Sequence, residues 1–223
     1  MQAGTPSTIS SYPRVYDIYH TLLHYDYNVF FNGSQLLHVD NSMFTRGKLD
    51  LSFHAGADKT APVVSVCKIL HFSRHFKVGF GDPGPSPNAV AWEDLAAQNL
   101  MASKYRVEMT IERDSLENES SSGDRRRRSF LWKCPIFSHD MKLFDEKTET
   151  VVALFNSCSS LFNLRKAGRI EIYQSYGPDF DLMVLTTALG LAEDLRRFEN
   201  STAVIPAGGL KLWNTVGETP RWY

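Results

Sequence analysis

Residues 180–192 constrain this chain more than any other segment. Phe180, Leu182, Met183, Val184, Leu185, Ala188, Leu189, Leu191 and Ala192 leave no polar face on a helix. The preceding Ser175, Tyr176, Gly177, Pro178 and Asp179 supply a turn and an Asp able to cap a helix start. A helix apolar on all sides is either buried in protein or inserted in lipid, and length separates the two. The segment rises about 20 Å as a helix, whereas a bilayer core of about 30 Å takes some ~20 apolar residues. Asp181 within the run, and Glu193, Asp194, Arg196 and Arg197 just beyond it, also oppose spanning. The expectation is a helix over residues 180–198 inside the protein, surrounded by sheet. Thr186 and Thr187 suit that place because hydroxyls bond back to helix carbonyls, and Gly190 admits a close neighbour.

The rest of the chain supplies the sheet. From Val15 onward the apolar segments are short, rich in Val, Ile, Phe and Tyr, and broken by Gly, Pro, Asn and Asp. Strands are expected at residues 29–39, 49–55, 63–80, 105–111, 129–132, 142–145, 151–156 and 168–174. The 63–80 run is long for one strand, so a bend or hairpin is expected near Ser73. Its parity puts Val64, Val66, Leu70, Phe72, Phe76 and Val78 on the inner face and Ser65, His71, Ser73, His75 and Lys77 outside, with Lys68 and Arg74 breaking the pattern. Residues 81–87 form a rigid Gly/Pro loop. Residues 114–129 read as a mobile surface loop, acidic first and basic after.

Composition bounds the class. With 223 residues, 43% hydrophobic and 22% charged, the chain suits one β domain over residues 15–198, flanked by a disordered leader (1–14) and a C-terminal tail (199–223). A net charge of -1 supplies no global attraction for nucleic acid, so a nucleic-acid partner is not expected. The N-terminus has neither the charged nor the apolar stretch of a secretory signal, and no segment reads as transmembrane. The expected location is intracellular: cytoplasmic with peripheral membrane association, or nuclear. Three cysteines (Cys67, Cys134 and Cys158) without a CxxC pair argue against a disulfide framework or structural zinc.

A curled sheet followed by an apolar C-terminal helix resembles the tubby C-terminal-like superfamily, which includes tubby domains, phospholipid scramblases and LURP-one-related proteins. The resemblance is closest to fungal members. It rests on residues 39–45 (Val-Asp-Asn-Ser-Met-Phe-Thr), 71–79 (His-Phe-Ser-Arg-His-Phe-Lys-Val-Gly), 81–83 (Gly-Asp-Pro), 92–95 (Trp-Glu-Asp-Leu), 130–133 (Phe-Leu-Trp-Lys) and 179–185 (Asp-Phe-Asp-Leu-Met-Val-Leu). It implies a mainly β fold: a closed antiparallel β-barrel of about twelve strands around the buried helix, with no open sheet edge. It also implies, by analogy with tubby domains, binding of phosphoinositide headgroups at a cationic patch.

Candidate sites are few. His20 and His24 have helical metal-ligand spacing, but Thr21 stands where a zincin carries its Glu and no third ligand is near, so no metal is expected. No Gly-x-Ser-x-Gly elbow, P-loop or dinucleotide fingerprint occurs; no cofactor and no catalytic residues are assigned, and the chain is read as non-enzymatic. His71, Arg74 and His75 form a candidate ligand face, with solvated or turn-bound side chains as the plainer explanation. Arg125, Arg126, Arg127 and Arg128 concentrate the most charge and are the candidate site for anionic lipid. Glu117, Glu119 and Asp124 can partly neutralise them. Two functions follow: a non-catalytic binding module recognising anionic membrane lipid, phosphoinositide in particular, or a protein-interaction or scaffold domain with an inert barrel.

Overall fold

The computed structural model describes residues 13–21, 25–42, 48–70, 74–84, 86, 89–111, 126–135, 138–158 and 165–202. Twelve strands alternate in direction: β1 (Arg14–His20), β2 (Tyr27–Phe31), β3 (Ser34–Asn41), β4 (Leu51–His54), β5 (Val63–Leu70), β6 (His75–Phe80), β7 (Ala91–Ala97), β8 (Lys104–Ile111), β9 (Arg126–Lys133), β10 (Met141–Asp145), β11 (Val151–Ser157) and β12 (Lys166–Ile172). Each pairs antiparallel with its sequence neighbours, and β1 pairs with β12, so the sheet closes on itself. The helix α1 (Pro178–Thr202) fills the interior. This is the closed barrel around a C-terminal helix that the sequence led us to expect.

The core consists of one inward residue in two along each strand, meeting the helix on all sides. Ile18, Val29, Val39, Phe53, Phe130, Trp132, Leu143 and Ile170 are fully buried, as are Phe180, Met183, Val184 and Ala188 of α1. Each large apolar side chain so enclosed contributes about 1.5–3 kcal/mol, which is why a helix with no polar face is stable here. Its two threonines meet the sheet through hydroxyls. Thr186 donates to the Leu182 carbonyl at 2.8 Å and accepts from Ser65 at 2.7 Å. Gly190 lies against β5, where a Cβ would stand 2.9 Å from the Cys67 sulfur.

Several local expectations are corrected. The 29–39 run is two strands, joined at Asn32 (φ 50) and Gly33 (φ 78), a two-residue hairpin turn with both residues left-handed. β1 and β7 were not anticipated, and β1 begins one residue inside the expected leader. The 63–80 run divides as expected, with Arg74 in the turn at φ 52, which accounts for its break in parity. On β5 the parity is reversed: Ser65, Cys67 and Ile69 face the helix, while Val66 packs outside among Gly79, Val90 and Trp92. Only the β6 half keeps the expected side, with Phe76 and Val78 inward. Arg126 to Ser129 belong to β9 rather than to a loop, because residues 126–133 pair in full register with β8. The helix starts at Pro178, so Asp179 lies inside its first turn, and Gly177 accepts the first helical bond from Asp181 N–H at 3.2 Å. It runs four residues past the expected end, to Thr202.

The barrel has two rims. Where α1 begins, the lower rim, buried Asp181 accepts from Arg14 (2.6 Å), Tyr16 (2.9 Å) and Ser175 (2.6 Å). Where α1 ends, the upper rim, Arg197 donates to Asp50 (2.6 Å), Glu193 (2.7 Å) and Asn41 (3.0 Å). The Tyr27 hydroxyl adds a 2.6 Å bond to Glu193. These charges are satisfied among themselves and clamp the helix at both ends.

Candidate functional site

The arginine run is distributed between different partners. Arg125 lies outside the described residues. Arg126 opens β9, exposed and paired across the ladder with Ile111. Arg127 is held by Glu93 through two guanidinium nitrogens, one at 2.8 Å, and by Glu108 at 3.2 Å. The hydrogen bonds it donates to Glu93, opposed by burial and aided by Glu108, raise the Arg127 pKa. Arg128 reaches inward to Asp145 and stacks 4.7 Å from the Tyr176 ring centroid. Burial alone would raise the Asp145 pKa, but hydrogen bonds from Arg128, Tyr176 and the Lys147 N–H hold it below the usual carboxylate value. An anion at Arg127 or Arg128 would compete with carboxylates already in place.

The histidine face is also accounted for locally. His71 lies outside the described residues. Arg74 donates to the Leu100 carbonyl, and His75 Nδ1 accepts from Ala97 N–H at 3.2 Å. Both tie the β5–β6 corner to the β7–β8 turn. They brace the upper rim and thereby help set the geometry of a patch that the sequence reading missed.

That patch is a row of lysines. Lys104 of β8 stands opposite Lys133 of β9, and Lys133 stands opposite Lys142 of β10. The alternating neighbours Tyr105, Trp132 and Leu143 point into the core, so the three ammonium groups share the outer face near the upper rim, all exposed. None has a carboxylate partner among the described residues; Lys133 lies 3.9 Å from the centroid of the Phe144 ring. Like charges directly opposite across strands are destabilising, so the row costs the fold stability.

Beside the row projects the turn of residues 98–103. Asn99 binds Ser103 through both ends of its amide (2.8 and 2.9 Å), Ala102 takes φ 50, and Cys134 N–H donates to the Ser103 carbonyl at 2.8 Å. With its backbone pinned, the turn presents Leu100 at 95% and Met101 at 70% exposure. A cationic row beside an ordered apolar tip can hold an anionic surface electrostatically. No signal in the sequence marks the row, because the lysines come from three separated strands and meet only through register. The apolar pair was legible, as Leu-Met inside a polar turn.

Among the described residues no cluster of three or more His, Cys, Asp or Glu could hold a metal ion, and no helix is long and apolar enough to cross a membrane. The cysteine thiols of Cys67 and Cys134 are pushed up by burial, the latter to about 12, which leaves them unreactive near neutral pH.

No family model matches the chain, and no curated protein matches it. Among solved structures, the X-ray structure of the Arabidopsis thaliana protein AT5G01750 is similar, with a TM-score of 0.49 at 14% identity, covering 86% of this chain and 97% of that one.

Proposed function

We propose that this protein is a non-catalytic binding module that docks on an anionic membrane surface through its upper rim. The observation that carries the reading is the Lys104, Lys133 and Lys142 row: three cations aligned by the sheet at a cost to stability, none neutralised by a carboxylate among the described residues. Each lysine brought to an anionic leaflet contributes about 1 kcal/mol, so the row supplies about 3 kcal/mol, reduced by salt. Arg126 stands elsewhere on the barrel, and Arg127 and Arg128 are engaged with Glu93, Glu108 and Asp145. The interior, filled by α1, serves as scaffold for this face. Phosphoinositides, with the greatest charge per headgroup, are the lipids the row should favour.

Co-sedimentation with vesicles of phosphatidylcholine, alone or mixed with phosphatidylserine or a phosphoinositide, tests the reading at low and physiological salt. Binding to the anionic vesicles that is lost when Lys104, Lys133 and Lys142 are changed to Ser supports it. Loss instead in an Arg126, Arg127 and Arg128 to Ser variant would move the site to β9's start. A protein that stays in the supernatant throughout would favour the protein-interaction or scaffold role.

A further inference from the structure

The most exposed apolar side chains of this barrel lie at one end, while Leu36, Trp92, Val151 and Tyr173, each less than half exposed, lie at the other. Leu100 (95%), Met101 (70%), Phe198 (64%) and Tyr25 (58%) are the most exposed large hydrophobic residues described, and all four belong to the upper rim. They come from three unrelated places: the β7–β8 turn, the last turns of α1, and the β1–β2 connection. The Arg196 guanidinium lies 4.6 Å from the Tyr25 ring centroid, so a cation accompanies the aromatic group there as well. Leu100 and Met101 are the most exposed of them, on a turn whose backbone is fixed by Asn99, Ser103, Arg74 and the Cys134 N–H. A pinned apolar pair loses little conformational entropy when it is buried by a partner.

We propose that Leu100 and Met101 enter the interfacial layer of an anionic bilayer, so that the barrel stands on its upper rim with α1 directed toward the membrane. This rests on the lysine-row reading and adds a salt-insensitive component to it. The occupant follows from shape and charge. The pair is exposed at 95% and 70% rather than recessed in a groove, which suits a deformable lipid interface, and the lysines beside it lie where the headgroup charge of an anionic leaflet would be. Apolar side chains entering below the headgroups, with cations at their level, is the arrangement of amphipathic interfacial binders.

Two variants separate the insertion from electrostatic attraction alone. In the full chain, Leu100→Trp adds one indole at the tip, and its fluorescence is read as the difference from the parent protein on phosphatidylserine vesicles whose phosphatidylcholine is brominated on the acyl chains. Insertion predicts quenching of that added signal by brominated but not by ordinary lipid. In parallel, the Leu100→Ser/Met101→Ser pair, on a surface where neither side chain supports the core, is expected to weaken vesicle binding about tenfold or more at low and at physiological salt. The triple lysine variant instead loses the salt-dependent part. Vesicle binding without quenching, or a Leu100→Ser/Met101→Ser protein that binds like the parent, would overturn insertion and leave the lysine-row reading standing. A parent protein that binds no anionic vesicle overturns both.

Discussion

The indole N–H of Trp132 donates to the Thr187 hydroxyl at 2.9 Å, and that same hydroxyl donates to the Met183 carbonyl at 2.8 Å. A strand side chain is thereby fixed to the helix backbone in the middle of the barrel. The residue pair fixes the rotation of α1 about its axis, which apolar packing alone leaves loosely specified. Thr187→Val keeps the volume but strands a fully buried indole donor. It should cost about 1–3 kcal/mol in denaturant unfolding. A variant as stable as the parent would show that the bond contributes nothing to holding the helix.

At the upper rim, Arg197 is the common partner of Asp50 and Glu193. Arg197→Met would leave two buried carboxylates, only partly satisfied by Lys68, Arg196 and Tyr27. The expected loss is about 3–5 kcal/mol. Burial pushes both carboxyls up, yet the hydrogen bonds from Arg197 to Asp50 and from Arg196 to Glu193 leave both below their ordinary values of 3.8 and 4.5. A carboxyl depressed in the folded state stabilises above its unfolded pKa and loses that contribution as pH falls through the folded one. Stability should therefore decline below about pH 4.5, and the decline should be shallower in an Asp50→Asn variant, measured by urea unfolding across that range.

His38 is nearly buried on the outer face under the 55–62 connection. Its Nδ1 lies 3.0 Å from Asn28 Oδ1, and its Nε2 has no hydrogen-bond partner among the described residues, standing 3.8 Å from Asp26. Burial lowers its pKa below 6.5, and Lys59 and His54 lower it further, against the opposing pull of Asp26 and Asp40. The unfolded chain therefore takes up a proton before the folded one does. Stability should rise with pH through the interval just below 6.5 and fall on acidification there. His38→Phe should reduce that slope without abolishing it, since His20 is depressed in the same direction by burial. An unchanged slope in the variant would mean that His38 titrates alike in both states.

Gly190→Ala would ordinarily gain helix propensity, about 1 kcal/mol. Here the new methyl meets the Cys67 sulfur at 2.9 Å. Overpacking of this kind costs about 1–3 kcal/mol, so net destabilisation is expected. Combining it with Cys67→Ala should recover part of the loss, giving a favourable coupling energy in a double-mutant cycle. Additive effects would place the strain elsewhere.

The lysine row predicts a trade between stability and binding. Lys104→Thr removes one of two like-charge cross-strand contacts and should stabilise the protein by about 0.5 kcal/mol at low salt, with the gain shrinking as salt rises. The same change should weaken binding to anionic vesicles. A variant that loses stability at low salt would contradict the cost assigned to the row.

A helix apolar on every side made its place inside the sheet legible, and the many short strands left a barrel or a sandwich open; the closed twelve-strand barrel followed from the family resemblance. The details failed where local chemistry was overlooked or ambiguous. Asn32-Gly33 was a readable hairpin turn hidden inside an apolar run. On β5, Val64 and Val66 read as inward, whereas the buried bond between Ser65 and Thr186, with Cys67 and Ile69 in the core, sets the opposite face. β7 was missed because charged Glu93 and Asp94 interrupt its apolar residues and only Leu95 is fully buried. The charged run at 125–128 drew attention by its density, whereas the lysine row depends on which strands become neighbours. Charge density is a property of sequence; an unneutralised cross-strand row is a property of register.

The pairing of β1 with β12 also bears on how the chain comes to be folded. Val15 must find Glu171 and Tyr16 must find Ile170, contacts that span most of the described chain. During synthesis the first strand waits with an unpaired edge until the last has emerged, and α1 follows only after that. A ladder closed by its most distant partners is slow to form, and its waiting edge is open to other chains. Fragments ending before Lys166 would keep that edge exposed permanently, which makes self-association, rather than simple loss of structure, their expected fate.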